Sequence, residues 1–167
     1  MKGFSLLETI VAISILVLGI LGPLAVATQA LSRASITENE IIAYNLAEEG
    51  LEFIINKKES NSFSNISWLT GIDGSGGCHN ANGCYVDALN GTITGCSSTC
   101  PFVKFDSSSG IYNNVSGTDT IFIRRVLLEP VGSPPASDER RLRVIVSWSE
   151  RFGPTRNVIL THHIFNN

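Results

Sequence analysis

The sequence predicts an α+β protein: one long N-terminal α-helix packed on a small antiparallel β-sheet, with a disulfide-bearing loop region between them. Three observations carry this. Thr9 through Ser32 is a run of 24 residues without a formal charge. The segment that follows keeps apolar residues at helical spacing. The C-terminal stretch 119–167 holds three runs rich in β-branched residues, separated by turn signals. Composition sets the outer bounds. A chain of 167 residues, 43% hydrophobic and 16% charged, is neither disordered nor collagen-like, and it suits one domain after the apolar run. A net charge of −3 excludes the chain as a whole from the nucleic-acid binders.

The first half of the helix is expected over 4–33. A charge-free run of this length is about 36 Å long as a helix, enough to cross a bilayer core. Gly19, Gly22 and Pro23 interrupt it, and such breakers are tolerated in membrane helices. Lys2 is the one fixed positive charge before it, which favours a cytoplasmic N-terminus and an extracytoplasmic C-terminal domain. The second half is expected over 34–58. Ile42, Ala43, Leu46, Ala47, Leu51, Phe53 and Ile54 recur at spacings that build an amphipathic stripe, read as ordinary core packing. Glu38, Glu40, Glu48, Glu49 and Glu52 fill the polar positions, and Lys57 with Lys58 complements the C-terminal dipole. The two halves together make a helix of about 50 residues, ~75–80 Å long. Pro23 and Gly50 are the expected kink positions.

Residues 59–118 read as loop, rich in Ser, Asn and Gly. Gly71–Gly77 lacks the Gly-Lys-Ser/Thr ending of a phosphate-binding loop, so no nucleotide site is expected. Cys78, Cys84, Cys96 and Cys100 all fall here. Four cysteines in an extracytoplasmic loop domain point to two disulfides, with three pairings open; Cys78 with Cys84 and Cys96 with Cys100 is the favoured one. A zinc site would want closer knuckles or nearby histidines, and His79 alone is near. The strands are expected at 120–130, 140–148 and 155–165. In the second, Leu142, Val144, Val146 and Trp148 alternate with Arg141, Arg143, Ile145 and Ser147, as in a half-buried strand. Glu150–Pro154 reads as the turn between the last two. A sheet of three or four strands follows.

Signals for chemistry are sparse. His162 and His163 are adjacent on a strand and so point to opposite faces, which disfavours joint metal binding. With no zinc-protease motif, no nucleophile elbow and no carboxylate pair in context, neither catalysis nor a cofactor is expected. Charge is segregated: residues 34–59 carry six Glu against two Lys, and 124–156 carry seven Arg against four acidic residues. This distribution has three readings: complementarity between the basic sheet of one subunit and the acidic helix of its neighbour, a basic patch for DNA or an anionic surface, and scattered solvated charge.

Three readings of the N-terminus compete. A secretory signal peptide would end at Ala25-Val26-Ala27, but Glu8 falls within its basic region. An unprocessed signal anchor leaves Glu8 without a role. The third reading rests on Lys2, Gly3, Phe4, Ser5, Leu6, Leu7 and Glu8. This run, followed at once by an apolar helix, resembles the N-terminal signal of type IV pilins and pseudopilins. The LGILG and NLAEEGLEFI stretches look like the PilV-type pilus modification family; the resemblance covers roughly the first 55 residues.

That resemblance implies a leader over 1–3, cleavage between Gly3 and Phe4 by a prepilin peptidase, and N-methylation of Phe4. It implies a minor pilin that waits in membrane lipid and is then drawn by the inner-membrane assembly machinery into a surface filament with other pilin subunits. Independently of it, an acidic residue at the edge of an apolar span costs a few kcal/mol unless paired, which marks Glu8 as functional. The Phe4 amine of a neighbouring subunit is the expected partner, setting axial register. Two alternatives stay open: a pseudopilin of a type II secretion system, and a secreted or membrane-anchored binding module.

Overall fold

The computed structural model describes residues 5–74, 76–132, 138–150 and 153–166. Its one long helix, α1, spans Leu6–Phe63, and the strands are β1 (Cys84–Asp87), β2 (Thr92–Gly95), β3 (Phe102–Asp106), β4 (Ile111–Asn113), β5 (Thr118–Pro130), β6 (Glu139–Ser149) and β7 (Thr155–Phe165). The chain falls into two compact parts, 1–40 and 41–167. In the first, every described residue from Ser5 to Ser35 is exposed, Leu, Ile and Val included. This helix is long and apolar enough to cross a membrane. Pro23 lies inside it without ending it, and Ser14 and Thr28 return their hydroxyls to the carbonyls of Ile10 and Ala25.

In the second part, α1 buries Ala43, Leu46, Ala47, Gly50, Ile54, Lys58 and Asn61, a stripe stepping by three and four residues. It differs from the expected stripe in detail: Leu51 and Phe53 are half-buried, while Gly50 and Lys58 lie in the buried face. The helix also runs past the expected end at residue 58. Lys58 is therefore no C-terminal cation; its stem packs into the buried face, 9% exposed. The helix stops in a Schellman motif built on Asn65, which takes a left-handed φ of 53°. The Ile66 N–H donates to Asn61 O at 3.1 Å and the Asn65 N–H to Ser62 O at 3.2 Å. Asn61 then fixes the exit, its side-chain amide donating to Trp68 O and Thr70 O at 3.2 and 2.8 Å.

Every strand pairing is antiparallel. Among the described residues the sheet has seven strands, more than the three or four expected. The three long strands fall where the runs of β-branched residues placed them. β5 is the hub: β6 pairs along it from Phe122 to Pro130, and β7 pairs beyond β6. Its other edge is shared by β3 at the Thr118–Ile123 end and β1 at Val126. The span 59–118, expected as loop, supplies β1 to β4. These strands have three to five residues each, too short for an alternation to emerge from Ser and Asn, and tertiary pairing decides them. The core joins the helix stripe to Val86, Val103, Phe122, Val126 and Leu128, and to Leu142, Val144, Val146 and Trp148 of β6.

Candidate functional site

The residues that bind the helix to the sheet meet at Arg124. This side chain, 1% exposed, reaches inward from β5. Its Nη1 donates to the Leu46 carbonyl of α1 at 3.0 Å and pairs with the Glu49 carboxylate. Its Nη2 donates to the Val86 carbonyl of β1 at 2.8 Å. One guanidinium thus ties a helix and two strands, a use that its fork of donors allows and a lysine would not. Gly50 makes the room. A Cβ there would lie 3.1 Å from Arg124 Cδ and 3.2 Å from Val144 Cγ1, so the absent side chain is what lets the arginine cross the helix. Gly50, expected as a kink, is instead a point of close approach, and α1 continues beyond it.

One helix–sheet pair of the segregated charges meets within the chain. Arg124 and Glu49, assigned by sequence to a basic sheet and an acidic helix, are partners. On the outer face Glu129 Oε1 accepts from Arg143 at 3.0 Å, with Arg141 at 3.7 Å from Oε2. His163 Nδ1 sits 2.6 Å from Glu139 Oε1. Glu38, Glu40, Glu48, Glu52 and Glu59 remain exposed on α1.

The four cysteines form Cys78–Cys84 and Cys96–Cys100. The two bonds are neighbours. Cys84 opens β1 opposite Gly95, the Cys96 N–H donates to Gly83 O at 2.9 Å, and Cys100 Sγ lies 3.8 Å from Cys84 O. Gly83 permits this with φ 71°, and a Cβ there would strike the Val126 carbonyl at 2.5 Å. The Cys78 carbonyl accepts from Leu128 N–H at 2.9 Å, so the bridged loop is stitched to β5.

Gly3 and Phe4, the expected cleavage and methylation positions, lie outside the described residues. Glu8 stands in the first turn of α1, exposed and without a side-chain partner among the described residues. A carboxylate there suits the helix dipole, a modest favourable term separate from any partner subunit. His162 is exposed and registers with Leu142, while His163 registers with Arg141. His79 Nδ1 approaches the Leu128 carbonyl at 3.3 Å. Among the described residues, no three His, Cys, Asp or Glu side chains gather as a metal would require.

Sequence reasoning missed the roles of Arg124, Asp87 and Asn113. Asp87, 1% exposed, accepts from the Leu89 N–H and Asn90 Nδ2 at 3.1 and 2.9 Å; Asn113 Oδ1 accepts from the Val115 and Ser116 N–H groups at 2.8 and 2.7 Å. Asx turns of this kind are legible in the Asp-x-x-Asn-Gly run at 87–91. At the β3–β4 turn, the Ser108 hydroxyl and N–H both donate to Asp106, holding its carboxyl below the ordinary 3.8.

These features define an α+β protein of pilin-like layout: an apolar N-terminal helix whose second half packs on an antiparallel sheet, with two disulfides. No protein-family model, no curated protein and no solved structure matches the chain.

Proposed function

We propose that the chain is a structural subunit of a type IV pilus, a minor pilin rather than an enzyme, assembled through α1. The observation that carries this is the joining of two features. The run from Gly3 to Glu8 has the residue order of a prepilin signal, and it leads directly into a helix whose first part is apolar and wholly exposed while its second part is the core of a folded domain. A signal peptide has no reason to continue into the core helix of the mature domain. An exposed apolar helix needs lipid or other helices around it, and a filament core supplies the second after a membrane supplies the first.

In this mechanism prepilin peptidase cleaves between Gly3 and Phe4, and the new Phe4 amine is methylated. Glu8 pairs with that amine on a neighbouring subunit as the assembly machinery extracts the helix. The disulfide-bearing region and the sheet face outward. A pseudopilin of a type II secretion system is the second reading, because the same N-terminus serves both. Mass spectrometry of the N-terminal peptide from native membranes or sheared fibres tests the class. A chain beginning at N-methylated Phe4 is expected; one beginning at Thr28, or retaining Met1, would overturn it. Recovery on long surface fibres rather than only with a secretion apparatus decides between the two systems.

A further inference from the structure

The outer face of the sheet carries a neutral, aromatic-ridged surface that the filament reading does not use. Phe102, Ile123 and Ser147 are register partners on β3, β5 and β6, so they stand in one row across three strands. Phe122 and Trp148, their neighbours along the chain, turn inward and are 3% exposed. Phe102 stays 45% exposed, an aromatic ring left in water. A hollow of about 490 Å³ flanks the row on one side, reaching Ile121, Ser149 and Thr155. A second, of about 590 Å³, flanks it on the other, reaching Tyr85, Thr94, Ser97, Thr99 and Pro101. Phe102 and Ile123 line both.

Two properties of this surface select its ligand. None of the described residues lining either hollow is charged, although Arg141, Arg143 and Glu129 lie further along the same strands. Nucleic acid, anionic lipid headgroups and acidic peptides would all call for cations here. The second property is the hydroxyl supply. Ser149 and Thr155 pair with each other, and Thr120 donates to the Val103 carbonyl. The side-chain hydroxyls of Tyr85, Thr94, Ser97, Thr99 and Ser147 have no hydrogen-bond partner among the described residues. Each is free to donate and accept. A continuous lipid-binding face would not be rimmed by such groups.

Apolar ring faces bordered by unpartnered hydroxyls, with no charge, complement a molecule that has apolar C–H faces and its own neutral hydroxyls. We infer that the double hollow around Phe102 binds an uncharged oligosaccharide. Sugar rings lie against Phe102 and Ile123, and the Ser and Thr hydroxyls exchange hydrogen bonds with the sugar's own. Two hollows astride one ridge suit a chain of sugars rather than a single ring. The assignment is independent of the filament proposal, since the surface belongs to the sheet and would serve a pilin or an anchored module alike.

The test uses the whole chain in detergent micelles on an array of neutral, sialylated and sulfated oligosaccharides. Retention by neutral glycans, with the charged ones no better, is the expected result. Calorimetry with the best-retained neutral glycan then compares variants. Phe102→Ala weakens binding by about tenfold or more, as loss of an aromatic anchor does. Ser147→Ala, which removes one hydroxyl without opening the core, weakens it by a few fold. Leu89→Ala, at an exposed apolar residue elsewhere, leaves it unchanged. Circular dichroism and the mass of the two intact disulfides verify folding of each variant. Retention by no neutral glycan, retention confined to charged glycans, or equal affinity of the Phe102→Ala chain would overturn the inference.

Discussion

At the residue scale, Gly50, Glu49 and Arg124 act together. The glycine opens a gap in the helix surface, the arginine passes through it, and the glutamate balances its buried charge. Removing the balance leaves a cation that water cannot reach. Glu49→Gln should lower stability by about 1–3 kcal/mol, below the cost of breaking a fully buried pair because Glu49 is itself partly solvated. Urea denaturation measures this, and an unchanged midpoint would refute the role given to the pair. Filling the gap should do comparable harm: Gly50→Leu forces Arg124 and Val144 aside and should cost about 1–3 kcal/mol by overpacking. Asp106 offers a pH test. Its carboxyl sits below the ordinary value because Ser108 donates to the charged form. The interaction therefore contributes fully above pH 3.8 and disappears as pH falls through the lowered folded value. NMR titration of Asp106 should give a midpoint below 3.8, and Ser108→Ala should return it toward that figure.

Among the elements, the contrast lies between the long strands and the short ones. β5, β6 and β7 carry enough β-branched residues to be read directly from the sequence, and the turn between β6 and β7 has its Gly153-Pro154 signal. β1 to β4 do not, since a strand of three to five residues in a Ser/Asn/Gly background exists only because a neighbour pairs with it. The helix end shows the same limit on a smaller scale. Lys57 and Lys58 suggested a terminus, but the stop comes from Asn65, and Asn adopts the left-handed turn more readily than most residues other than Gly. The two disulfides act on this region of short strands. Each closes a small loop, so removing either pair by Cys→Ala substitution should cost about 2 kcal/mol on a chain-entropy estimate. Loss of amide protection should appear first in β1 and β2, because β5 to β7 share a broad apolar core; simultaneous loss across the sheet would contradict that order.

For the whole molecule, the division between an exposed apolar segment and a folded domain governs behaviour. The domain over 41–167 holds the buried core, while the described residues from Ser5 to Ser35 are all exposed. A chain deleted through residue 35 is expected to be soluble without detergent and to retain the near-ultraviolet signal of Trp68 and Trp148, both in the core. Loss of that signal would show that the domain depends on the apolar segment. Glu8→Ala, in contrast, should leave membrane insertion and folding intact and abolish incorporation into filaments. Normal incorporation would remove the register role proposed for Glu8.

The sequence by itself determined the membrane-like span, the amphipathic stripe and the three long strands. Each is a periodic or compositional pattern that one segment carries without help. It also contains the Gly3–Glu8 run, whose residue order is legible in the sequence alone. The tertiary structure alone decided that Arg124 is buried against Glu49, that Gly50 is a passage rather than a kink, and that Phe102 lies exposed between two hollows. Those outcomes depend on which backbone atoms arrive opposite one another across long sequence separations. Burial and pairing are properties of two segments at once, and no pattern within either segment encodes them.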